Sequence, residues 1–145
     1  MPYEISRADV WVGEIEDRVG GLAEKLEILR DAGANLEFTV VRRLAEKPGK
    51  AVLFCSPLRG AAAKEAGLKK SSSMCTVRIE GPDRPGLSAK ISRTVANEGI
   101  SLRGLSGATL GDRNVIYLSF HSVPDANKAA LALQRAFSEE QVTSP

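Results

Sequence analysis

The chain repeats itself. A shift of 66 residues lays Glu14–Leu36 on Glu80–Leu102 without a gap, and seven of the 23 positions are identical: Glu14/Glu80, Asp17/Asp83, Arg18/Arg84, Gly20/Gly86, Ala23/Ala89, Gly33/Gly99 and Leu36/Leu102. Chance at average composition gives about one or two. A second match follows with a slip of three residues, Val52-Leu53-Phe54 on Val115-Ile116-Tyr117. The slip falls in a connecting loop, where length differences are tolerated. The sequence therefore reads as two related domains, 1–70 and 71–145. Units this small bury a limited share of their surface, which favours packing on each other or dimerising.

Each half shows one order of elements. In the first, Asp9–Glu16 reads as a strand and Asp17-Arg18-Val19-Gly20-Gly21 as a turn. Leu22, Leu26, Leu29 and Gly33 recur at helical spacing, with Gly33 as the stop. Strands follow at Asn35–Leu44 and Ala51–Ser56, then an Ala-rich helix over Ala61–Ala66 and a short strand at Leu68–Ser71. The second half repeats this: strand Met74–Glu80, turn Gly81–Pro85, a helix through Leu87, Ile91 and Val95 that stops at Gly99, and strands Ile100–Ala108 and Asn114–His121. A helix over Pro124–Phe137 and a last strand at Gln141–Thr143 complete it. The order β-α-β-β-α-β predicts an α+β chain. Its architecture is a ferredoxin-like unit occurring twice, with antiparallel sheets and helices on one face of each.

The turn from first strand to first helix carries the functional signal. In the second half it reads Asp83-Arg84-Pro85-Gly86-Leu87-Ser88-Ala89 and leads through the helix to Gly99-Ile100-Ser101-Leu102. The first half reads Asp17-Arg18-Val19-Gly20-Gly21-Leu22-Ala23, then Gly33-Ala34-Asn35-Leu36. A helix N-terminus offers unpaired N–H groups and partial positive charge, and glycine lets a ligand approach the backbone. Such a place suits a carboxylate, as of a free amino acid. Two roles are open to Asp17 and Asp83: capping the helix, or receiving a ligand ammonium group.

These two segments resemble the signature of the ACT domain, a D-R-P-G-like turn followed by a helix and a glycine thirteen residues on. The resemblance extends over nearly the whole chain as a tandem, stand-alone pair. It implies that the turn of one unit faces a strand of another, with the amino acid between. The implied ligand neighbours are Asp17, Val19, Gly20, Gly21, Leu22, Asn35 and Leu36 in the first half. In the second they are Asp83, Pro85, Gly86, Leu87, Ser101 and Leu102. Asn35 both donates and accepts hydrogen bonds, which suits the two ends of an amino acid. The first site reads as the roomier, with Gly21 where the second has Leu87 and Asn35 where it has Ser101; Val19 in place of Pro leaves its turn less rigid.

Other chemistries find little support. Twenty Lys and Arg against 18 Asp and Glu leave a net charge of +2, too weak an excess to argue for nucleic acid or an anionic membrane. Met1–Asp9 lacks a signal-peptide pattern and no apolar run reaches about 18 residues, so a cytoplasmic protein is expected. Two cysteines, Cys55 and Cys75, without CxxC or HxxxH spacing predict neither a disulfide framework nor a metal or other cofactor. His121 with Ser119, Ser122 and Asp125 imitates a triad, but one short segment does not reach catalytic geometry. Trp11 reads as core or interface, and Arg18 and Arg84 as solvent-exposed. The reading is a non-enzymatic regulatory protein that binds an amino acid. It would act as a homodimer through ligand-dependent assembly, or through a regulated enzyme or regulator as partner. The alternative is an interaction module that dimerises without a ligand.

Overall fold

Alternation along two strands builds the first sheet. In the computed structural model, which describes residues 2–71 and 75–143, strands β2 (Trp11–Glu16) and β4 (Lys50–Ser56) pair antiparallel, with Trp11 opposite Cys55 and Glu16 opposite Lys50. Strand β1 (Glu4–Ala8) precedes them. Ile15, Leu53 and Cys55 point to one face, where Leu29 of helix α1 (Gly21–Asp31) and Ala63 of helix α2 (Gly60–Glu65) close a small core. Strand β3 (Phe38–Arg43) and the two-residue β5 (Lys69–Lys70) complete the order β3-β4-β2-β5. Helix α1 ends as its glycine predicts. Gly33 takes a φ of 86°, its N–H meets the Arg30 carbonyl, and the Ala34 N–H reaches back to Leu29 at 3.0 Å, which makes a Schellman stop.

The second sheet has the same plan and a fuller core. Strands β6 (Cys75–Pro82), β7 (Gly104–Leu110) and β8 (Arg113–Phe120) combine with β1 in the order β1-β6-β8-β7, every pair antiparallel. Helices α3 (Leu87–Asn97) and α4 (Val123–Thr143) cover it. Val77, Ile79, Ile91, Leu118, Phe120, Leu133 and Phe137 are all almost fully buried. The architecture is thus α+β, ferredoxin-like and duplicated. Of the described residues, 9–71 form one compact unit and 2–8 with 75–143 the other.

Several segments differ from the sequence expectation. Gln141–Thr143 is not a strand but the end of α4, because nothing between Asp125 and Thr143 is Gly or Pro to stop the helix. The fourth strand comes instead from the N-terminal segment, to which the pattern had assigned no element. Glu4 pairs with Glu80 and Ala8 with Thr76, and Tyr3 and Ile5 turn into the second core. Gly81 and Pro82, expected in the turn, extend β6. The expected start of that strand at Met74, and residues 72–74 of the linker, lie outside the described residues.

Candidate functional site

The duplicated turn keeps its geometry in both units. Gly20 and Gly86 sit at the N-caps of α1 and α3 with φ of 82° and 78°, a left-handed conformation that disfavours any residue with a Cβ. Neither helix has a side-chain cap. One amide of each first turn is used internally: Gly21 N–H donates to the Arg18 carbonyl at 3.0 Å and Leu87 N–H to that of Arg84 at 3.3 Å.

Of the two roles the sequence leaves open for Asp17 and Asp83, neither carboxylate caps its helix. They tie the turn to the neighbouring hairpin. The Asp17 N–H donates to Gly49 and the Asp83 N–H to Asp112, at 3.0 and 2.8 Å. The Asp17 carboxylate accepts from Arg43 Nε at 2.9 Å. That of Asp83 accepts from Asn114 Nδ2 at 3.2 Å and Thr109 Oγ1 at 3.3 Å. The same aspartate therefore clamps the same hairpin twice.

The remaining named residues divide by burial. Val19 and Pro85 are exposed, Val19 fully. Leu87 is buried in the second core, and Leu22, Leu36 and Leu102 pack half-buried against their cores, so all four present side chains to the protein interior. Leu87 therefore does not crowd the turn. Gly21 answers a different demand: a Cβ there would lie 2.2 Å from the Glu16 carbonyl oxygen, so only glycine lets α1 start this close to β2. Asn35 and Ser101 are exposed in the loops that lead to β3 and β7. Eleven-residue α1, about 16 Å long, separates Asn35 from Gly20. Within one unit the turn and the Asn35 segment thus stand at opposite ends of the helix.

A cavity of about 270 Å³ opens beside the first turn of α1. Glu14 and Glu16 of β2, Arg18 of the turn, Gly21, Glu24 and Lys25 of α1, and Lys50 of β4 line it. Its charges are matched. Arg18 Nη2 lies 2.5 Å from Glu24, Lys50 Nζ 2.5 Å from Glu16, and Lys47 Nζ 2.6 Å from Glu14. Hydrogen bonds from Lys47 and Arg18 hold the Glu14 and Glu24 carboxyls below the ordinary carboxylate range. Such exposed pairs contribute little stability and are free to exchange partners. Sequence reasoning missed the acidic and lysine members; the signal was the stripe 21, 24, 25, 28 on α1 beside alternating Glu14 and Glu16. Asn35 lines two further cavities, of about 260 Å³ with Gly33 and Arg59 and about 240 Å³ with Leu26 and Thr39.

Two of the residues that imitate catalytic chemistry serve the fold. Ser122 Oγ accepts from the Asp125 N–H at 3.2 Å and caps α4. Cys55 is fully buried, and burial pushes its thiol up to about 11, far from a thiolate nucleophile. Among the described residues no group of His, Cys, Asp and Glu is set to hold a metal ion, and no helix is long and apolar enough to cross a membrane.

Residues 76–140 match the family model of the ACT domain. The fold recurs in solved structures. A protein from Bacteroides thetaiotaomicron is 18% identical with a TM-score of 0.74, over 91% of this chain and 90% of that one. The regulatory subunit of aspartate kinase from Thermus thermophilus, in its ligand-free form, is 16% identical with a TM-score of 0.64, over 94% and 97%. That of Thermus flavus is 18% identical with a TM-score of 0.58, over 94% and 97%. At these identities the likeness establishes the fold. No curated protein matches the sequence.

Proposed function

We propose that this chain, whose residues 76–140 match the ACT domain, is a regulatory protein that binds a free amino acid at the first turn of α1. The observation that carries the reading is the uncapped N-terminus of α1 opening on a cavity lined by both signs of charge. First-turn amides favour a carboxylate. Glu14, Glu16 and Glu24 favour an ammonium group. About 270 Å³ suits a ligand smaller than the drug-sized molecules that larger pockets hold.

The matched domain supports regulation over catalysis, and the solved regulatory subunits of aspartate kinase share the fold. We read the halves of the repeat, 1–70 and 71–145, as two ACT-like domains, with strand β1 lent to the second sheet. The protein acts in the cytoplasm as a homodimer. Asn35 and Leu36, or Ser101 and Leu102, of one domain complete the site opposite the turn of another, and the partner that receives the signal is an enzyme or its regulator.

Thermal-shift screening of the full chain against the twenty amino acids tests this. A ligand at 100 times its Kd adds about 2.7 kcal/mol, so at least one amino acid should raise the midpoint by several degrees. Arg18→Ala with Glu24→Ala should abolish that shift. No shift from any amino acid at millimolar concentration, in a protein that is dimeric, would leave the ligand-free interaction module as the better account.

A further inference from the structure

The repeat maps the cavity of the first unit onto a definite place in the second. Ile15, Glu16, Arg18 and Glu24 correspond to Gly81, Pro82, Arg84 and Lys90. That place is filled by the chain itself. Tyr3, just ahead of β1, is 9% exposed. Its hydroxyl donates to the Pro82 carbonyl at 2.6 Å and accepts from Arg84 Nε at 3.1 Å. The Arg84 guanidinium stands 5.5 Å from the ring centroid, and the ring packs on Phe137 with centroids 4.6 Å apart. Lys90 Nζ lies 4.6 Å from the Phe137 ring in turn. Gly81 admits the ring, because a Cβ there would fall 2.2 Å from Tyr3 Cδ1. At the matching position the first unit has Ile15, whose own side chain is buried.

We propose that Tyr3 is a built-in ligand. The second unit carries a slot for a phenol ring, and the chain closes it with its own Tyr3 while β1 stays docked. The chemistry of the slot is selective. A carbonyl acceptor and a guanidinium donor meet the hydroxyl, and an aromatic face and bare backbone meet the ring. The second unit therefore takes up no free ligand in the docked state, and the first unit alone holds an open site. This stoichiometric part rests on the amino-acid reading above; the slot does not.

The test uses the full chain and 4-methylphenol, the tyrosine side chain as a free molecule. Tyr3→Ala should melt several degrees below the wild type, and millimolar 4-methylphenol should restore at least half of the loss while leaving the wild type unmoved. Toluene should restore less. Equal melting of the two proteins, or a shift by 4-methylphenol that is the same in both, would overturn the slot. Tyr3→Phe keeps the ring and loses both hydroxyl bonds, so it stays informative if Tyr3→Ala does not fold. It should melt about 2–6 °C below the wild type, and no decrease would overturn the slot. Calorimetric titration of the wild type with whichever of the twenty amino acids binds should give one per chain, and two per chain would overturn the stoichiometry. If none binds, the amino-acid reading fails while the 4-methylphenol result still decides the slot.

Discussion

The unit of residues 9–71 and the unit of 2–8 with 75–143 share a backbone plan and differ in what fills it. The second buries Leu118 and Phe120 of β8 against Leu133 and Phe137 of a 21-residue helix, and a five-residue strand guards the outer edge of β6. The first closes on Leu29, Leu53 and Cys55 with three alanines, under a six-residue helix, and its outer strand has two residues. Yet the turns agree closely, in the φ of Gly20 and Gly86 and in the aspartate N–H bond to the hairpin. What survives divergence after duplication is what the backbone demands. What drifts is the side-chain filling, and with it the space left beside α1.

The sharpest way to break this comparison is to empty each core in turn. Phe120→Ala should cost about 3–5 kcal/mol and Leu53→Ala about 2–5. Trp11, the chain's one tryptophan, packs against the first core and reports on that unit. In denaturant titrations Phe120→Ala should shift circular dichroism further than Trp11 fluorescence, and Leu53→Ala should do the reverse. Coincident shifts would mean that the cores do not fail separately.

Gly21→Ala comes next. The new Cβ would meet the Glu16 carbonyl, so backbone must move, at about 1–3 kcal/mol. Ligand affinity should fall with it, because α1 would no longer start against β2. Unchanged stability would show that the close approach is not needed.

Gly20→Ala and Gly86→Ala meet nothing within 4 Å, so each should lose only the left-handed penalty of about 1–2 kcal/mol. The two losses should agree; an unequal pair would break the claim of equivalent turns.

The smallest effect is one of pH. Hydrogen bonds from Arg78, at 2.7 Å, and Arg113, at 3.3 Å, hold the Glu80 carboxyl below the ordinary carboxylate range. A depressed folded value means that its contribution is complete above the unfolded glutamate pKa of about 4.3 and is lost as pH falls through the folded one. Glu80→Gln should therefore lower stability slightly near neutral pH and converge with the wild type in acid, seen in melts across that range.

Much of this was legible because it repeats. The turn, both αL glycines and the order of elements from β2 to α4 follow from residue types at fixed spacing, and glycine at positive φ leaves a mark in any sequence. Strand β1 was not legible. Its partner lies 76 residues on, and Glu4–Ala8 alone carries too few apolar residues to announce a strand. Only the plan of the repeat asks for a strand at Gln141–Thr143, whereas the local sequence continues the helix. The cavity was half visible: Gly21 and Arg18 stood in the motif, but Lys25 and Lys50 converge there only through tertiary packing. The clamp made by Asp17 and Asp83 depends on a hairpin that lies beyond a helix and a strand along the chain but touches them in space, rather than on the helix beside them.

Because Glu4 pairs with Glu80, this polypeptide cannot finish its second sheet in the order in which it is made. At about 5–20 residues per second, β1 is synthesised some 4–15 s before its partner. Through that interval it is an unpaired strand, open to pairing with a neighbouring nascent copy.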